Sequence, residues 1–112
     1  ETRYCQPALF IAGLAGVEKL REEREEAVTR AQVMAGLSLG EYTALCAAGV
    51  FTFEEGLKLV QLRGEAMQEA AAVGQQAMLS VAGLSQDRVE QLCEEAAAEA
   101  GPEAVCQIAN FL

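Results

Sequence analysis

The chain has 112 residues, 52% of them apolar, and carries 17 acidic against 8 basic side chains for a net charge of −9. It is long enough for one small core but short for a complete α/β enzyme, and without a basic stripe it is not expected to bind nucleic acid or an anionic membrane surface. Four cysteines far apart, with no Cys-x-x-Cys pair and no histidine, argue against a metal site and read as small buried hydrophobes in a reducing compartment.

Pro7 opens the apolar run Ala8 to Ala15, which continues at helical spacing through Val17 and Leu20 before Glu22-Glu23-Arg24-Glu25-Glu26. Proline suits a first helical turn, so a mostly buried helix is predicted to start there and to end in a solvated, charged tail. No apolar run is long enough to span a bilayer, and no cationic leader precedes these residues. Val33-Met34-Ala35 reads as a short strand. A helix from Leu39 to Ala48 follows, closed by Gly49. Thr52-Phe53-Glu54-Glu55 is a capping box that opens a long helix from Phe53 to Ala72. Near Gly74 the pattern changes: Ala77 to Ala82 is a second short apolar run, Ser85 caps a helix from Gln86 to Ala100, and Gly101-Pro102 stops it before a third run, Ala104 to Leu112. That order is β-α-β and predicts an α/β layer, with residues 1–74 and 75–112 as separate parts. The absence of an initial methionine and the apolar final stretch read as an internal fragment of a larger protein.

Gly36-Leu37-Ser38-Leu39-Gly40, between the predicted strand and helix, has the spacing of a nucleophile elbow. In such a turn the serine hydroxyl is lifted on strained backbone, and glycines at 36 and 40 would remove Cβ atoms from a close strand–helix crossing. The helix start adds free N–H groups where negative charge would develop on a substrate oxygen. The competing reading makes Ser38 a helix cap, since Ser38 and Glu41 also fit a capping box. It leaves Gly40 unexplained, because glycine in a first turn costs helix stability.

Arg63 is the second anomaly. Its helical neighbours Leu59, Val60, Ala66 and Met67 are all apolar, whereas Lys58 has Glu54 and Glu55 at ion-pair spacing. Such an arginine either extends its head to water or awaits an anion from elsewhere. A guanidinium fork is suited to a carboxylate. With a serine nucleophile beside it, the substrate would be an acyl group bearing a free carboxylate, such as malonyl.

The stretches Gln6-Pro7-Ala8-Leu9, Gly36 to Leu45 and Leu59 to Gln68 resemble the malonyl-CoA:acyl carrier protein transacylases of fatty acid synthesis, and Met78 to Leu84 looks like the strand entering that family's small subdomain. The resemblance implies part of an α/β-hydrolase-like core over residues 1–74 and the start of a ferredoxin-like subdomain over 75–112. It places the nucleophile on Ser38, the malonyl-binding arginine on Arg63, an oxyanion donor on the Leu39 amide and a pocket-lining glutamine on Gln6. Malonyl-CoA and acyl carrier protein would be the partners, with the coenzyme A thioester as substrate and no permanently bound cofactor. The family's general-base histidine and second oxyanion donor have no counterpart here, so these 112 residues alone are expected to show no turnover. Most members carry histidine where this chain has Leu37. Leucine there, with the Tyr4 to Phe10 segment, is similar to plastid-type members and implies the plastid stroma, with the bacterial cytoplasm as the alternative. Other readings are an acyltransferase domain of a polyketide or fatty acid synthase, a serine hydrolase in which Arg63 is idle, and an inactive scaffold.

Overall fold

A computed structural model describes residues 1–111. Its elements are α1 (Thr2–Glu23), α2 (Glu25–Thr29), α3 (Leu39–Ala47), α4 (Phe53–Ala72) and α5 (Gln86–Ala100). The chain packs as two units, Glu1–Gln76 and Ala77–Leu112. No helix among the described residues is long and apolar enough to cross a membrane.

The predicted α/β architecture is not found. Among the described residues there is no strand, and the runs at 33–35, 77–82 and 104–111 are irregular. A strand exists only where its N–H and C=O groups meet those of a neighbour. Here every backbone hydrogen bond outside the helices joins residues no more than five positions apart. Apolar patterning supplied side chains for a buried face but no ladder, and Val33, Met78, Leu79 and Val105 are 80% or more exposed. The α/β-hydrolase-like core and the β-α-β start of a ferredoxin-like subdomain are corrected accordingly: the first unit is helical, and the second holds α5 alone.

Two helix ends follow local chemistry closely, whereas Ser85, the expected cap of α5, makes no side-chain cap hydrogen bond. Thr52 accepts from the Glu55 amide at 3.2 Å while the Glu55 carboxylate accepts from the Thr52 amide at 2.8 Å. Hydrogen bonding from the Thr52 amide first, and from the Thr52 side chain second, holds the Glu55 carboxyl below its ordinary value. At the end of α3, Gly49 adopts φ +78°, and the amides of Gly49 and Val50 bond the carbonyls of Cys46 and Leu45, which is a Schellman closure. Helix α1 departs from expectation because it begins at Thr2 and carries Pro7 inside. The carbonyl that Pro7 cannot bond, that of Arg3, lies on the α4 side, 3.2 Å from where a Gly64 Cβ would stand. Nor is α1 mostly buried: only Gln6 and Phe10 are. Its charged tail pairs internally, Lys19 with Glu22 and Glu23, and Arg21 with Glu18. Lys58 forms no ion pair among the described residues.

Helices α1 and α4 run antiparallel, with Gly64 against Arg3 and Gly56 against Phe10. A Cβ on Gly64 would lie 3.0 Å from Arg3 Cα and 3.3 Å from Gln6 Cβ, and one on Gly56 would lie 2.5 Å from Phe10 Cζ. The helices can approach this closely only because both positions lack side chains. Helix α3 joins them through Leu39, which is buried with Phe10 and Val60 and flanked by Tyr42, Phe51 and Leu57. Phe10 also stacks on Phe53 with ring centroids 5.9 Å apart, a spacing suited to aromatic pairs. Burying Phe10 and Val60 completely contributes about 1.5–3 kcal/mol each. The expected burial of the cysteines is corrected too: Cys5 and Cys106 are exposed and Cys46 and Cys93 half-buried. Partial burial, with Glu54 nearby, pushes the Cys46 thiol up, away from a reactive thiolate.

Candidate active site

The core positions the site from one turn away. Gln6 precedes Phe10 by four residues on α1, Arg63 follows Val60 by three on α4, and Ser38 adjoins Leu39 at the start of α3. Spacings of three and four put Gln6 on the helix face of Phe10 and Arg63 on that of Val60, while Ser38 is tied to Leu39 as its chain neighbour. The three buried apolar side chains therefore carry three polar ones beside them.

Ser38 is the one non-glycine residue with positive φ among the described residues, at φ 55° and ψ −114°. The Gly40 amide bonds the Leu37 carbonyl across it at 2.9 Å, closing a turn whose geometry belongs to glycine. Serine in that conformation carries strain of about 1–3 kcal/mol. The capping alternative fails here, because the Ser38 side chain makes no cap hydrogen bond. Its hydroxyl is instead bonded by Arg63 Nη2 at 2.9 Å. The Gly40 and Glu41 amides turn back to Leu37 and Ser38, leaving the Leu39 N–H without an acceptor among the described residues, next to the hydroxyl.

The two glycines of the motif have unlike roles. A Cβ on Gly36 would overlap the Gly40 carbonyl and stand 2.6 Å from the Glu41 nitrogen, all backbone, whereas one on Gly40 meets nothing within 4 Å. The expectation of a collision at Gly40 is thus corrected. In the full-length protein, Gly36→Ala is expected to destabilise by about 3 kcal/mol or more, at the upper end of overpacking costs. Gly40→Ala is expected to change stability by about 1 kcal/mol or less, in the stabilising direction that helix propensity sets. Urea unfolding of the two variants checks this contrast.

Arg63 is half-buried, and of its four apolar neighbours only Val60 is buried. Nη1 donates to Gln6 Oε1 and Nη2 to Ser38 Oγ. The Tyr42 ring lies against the guanidinium, 5.7 Å from Cζ to the ring centroid. No carboxylate pairs with Arg63 among the described residues. Among the described residues this cation thus has only neutral partners, which leaves its charge available to an anion from elsewhere. Two apolar hollows flank α3, of about 370 Å³ beside Leu14 and Phe53 and about 490 Å³ beside Val28 and Met34; neither includes Ser38 or Arg63.

Ser38, Leu39, Arg63 and Gln6, singled out in the sequence, therefore lie together, although 57 residues separate Gln6 from Arg63. Tyr42 was missed. The signal was present: it is aromatic and lies in the first turns of the helix that Ser38 precedes.

The family model for the acyl transferase domain matches residues 1–109. The chain belongs to that family. It is 43% identical, over 99% of its length, to a Homo sapiens protein named mitochondrial malonyl-CoA-acyl carrier protein transacylase. It is 41% identical, over 87% of its length, to the Escherichia coli malonyl CoA-acyl carrier protein transacylase. In each case it spans 30% of the relative. The Bacillus subtilis polyketide biosynthesis protein PksE is 44% identical over 84% of the chain and 12% of that protein. Relatives with mitochondrial and bacterial names thus both occur.

Proposed function

We propose that this chain carries the nucleophile and the acid-binding residue of a malonyl transferase that moves malonyl from coenzyme A to acyl carrier protein. The observation that carries this reading is the 2.9 Å hydrogen bond between Arg63 and Ser38 across a strained turn. Malonyl places its carboxylate one methylene from the thioester carbonyl, so the gripping and attacking groups must lie within a few ångströms of each other. Ser38 Oγ attacks the thioester carbonyl, the coenzyme A thiolate leaves, and a malonyl-serine ester forms. The phosphopantetheine thiol of the carrier protein then attacks that ester and restores the hydroxyl.

Arg63 holds the acid tail in both half-reactions, Gln6 anchors Arg63, and the Leu39 amide receives the developing oxyanion. The coenzyme A thioester is substrate rather than resident cofactor. The chain has no histidine, so an imidazole base for Ser38 comes in this reading from another part of the protein. Residues 1–74 form the site-bearing part and 75–112 a separate one, in keeping with the division of the chain at Gln76. A plastid location rests on Leu37 and the Tyr4 to Phe10 segment alone. The PksE likeness supports a second reading, an acyltransferase domain of polyketide assembly, which would use the same residues.

Incubating the full-length protein with malonyl-CoA in the absence of carrier protein is expected to add one malonyl mass to the peptide containing Ser38. Absence of that adduct, or its appearance on another residue, would overturn the reading.

A further inference from the structure

We propose that Tyr42 is a positioning residue for Arg63, its ring holding the guanidinium through the catalytic cycle; this rests on the reading of Arg63 as the carboxylate grip. Arg63 donates two hydrogen bonds from its Nη atoms, to Gln6 Oε1 and Ser38 Oγ. The Tyr42 ring adds a third contact, with Arg63 Cζ over it 5.7 Å from its centroid, inside the range of cation–π attraction.

The Ser38 contact is also temporary. When Ser38 Oγ attacks an acyl group it gives up Nη2 to the incoming carboxylate, leaving Gln6 and Tyr42 as the protein's remaining hold on the cation. Tyr42 is itself fixed, because its ring packs against the cluster of Phe10, Leu39 and Val60. Being four residues beyond Ser38 on α3, it keeps nucleophile and grip in one rigid frame. The phenol hydroxyl makes no hydrogen bond among the described residues, so the ring rather than the hydroxyl is the working part.

The test compares Tyr42→Phe, Tyr42→Leu and Tyr42→Met in the full-length protein, with malonyl-CoA and acetyl-CoA as donors; methionine covers the case in which leucine packs too poorly to fold. Phenylalanine is expected to stay within about twofold of wild type, since it keeps the π face. Leucine or methionine is expected to raise KM for malonyl-CoA about 3- to 30-fold, with a smaller change in kcat and about twofold or less in acetyl transfer. In an Arg63→Ala background the same changes are expected to add nothing. Equal losses with both donors would assign Tyr42 to packing alone, and loss in the phenylalanine variant would assign the effect to the hydroxyl; either overturns the proposal. If Arg63→Ala itself shows no preference for harming malonyl transfer, the underlying reading fails and this proposal falls with it. If Arg63→Ala is selective and the leucine and methionine variants are not, only the role of Tyr42 fails.

Discussion

With alanine at position 38, the full-length protein is expected to lose malonyl transfer by a factor of about 10⁴ to 10⁶, the loss typical of removing a serine nucleophile. Malonylation of carrier protein, followed by mass, measures it. Glycine at the same position should abolish transfer equally, yet the two variants should differ in stability. Alanine keeps the strain that φ 55° imposes on Ser38, whereas glycine adopts that conformation freely. Relief of about 1–3 kcal/mol of backbone strain exceeds the ~0.5–1 kcal/mol that glycine loses in chain entropy. Ser38→Gly is therefore expected to be more stable than Ser38→Ala by about 1–2 kcal/mol in urea unfolding. Equal stabilities would show that the turn stores no more strain than the ~0.5–1 kcal/mol of glycine's entropy offsets, and undiminished transfer in either variant would remove Ser38 as the nucleophile.

Arg63→Ala is expected to lower malonyl transfer roughly thirtyfold to a few thousandfold, and acetyl transfer less. The range follows from a cost of ~2–5 kcal/mol for truncating one member of a buried charge pair, at about 1.4 kcal/mol per decade of rate. The substitution strands a carboxylate against Gln6 Oε1 and Ser38 Oγ, the two groups that Arg63 contacts in the free protein. Acetyl has no such group to strand. Equal losses for both donors would remove Arg63 from its role, and no loss with either, as expected of a neutral-ester hydrolase in which Arg63 is idle, would favour that alternative.

Some of the fold was legible because the deciding interactions are local. Thr52 with Glu55, Gly49 after α3 and Gly101 after α5 act within a turn of their own positions, and the helices they bound run as expected to within about a residue. Pro7 misled because a proline compatible with a first turn is also tolerated deeper in a helix when the carbonyl it orphans faces a neighbour. The strand readings failed for a different reason. Val33 to Ala35 and Ala77 to Ala82 have strand-like composition, but pairing depends on a second segment, which composition at one site does not encode.

The site was legible as an odd serine turn and an odd arginine, each ambiguous alone. Their 2.9 Å meeting across 25 residues is a tertiary fact, reached from the sequence only by asking which chemistry would need both. Tyr42 escaped that argument because the chemistry asks for a nucleophile and a cation but does not ask what steadies the cation.

Under the proposed role of Arg63, the bare backbone at Gly64 bears on acyl choice. It directly follows Arg63, and the room it leaves is filled by Arg3 and Gln6 of α1. The distance from the glutamine to the arginine is thus gauged by a residue with no functional group at all. Any side chain there would act as a shim, tilting one helix from the other and detuning the reach of the cation toward an acid tail. If Arg63 grips an acid tail as proposed, preference among acyl chains can in this way drift through a position that has no side chain.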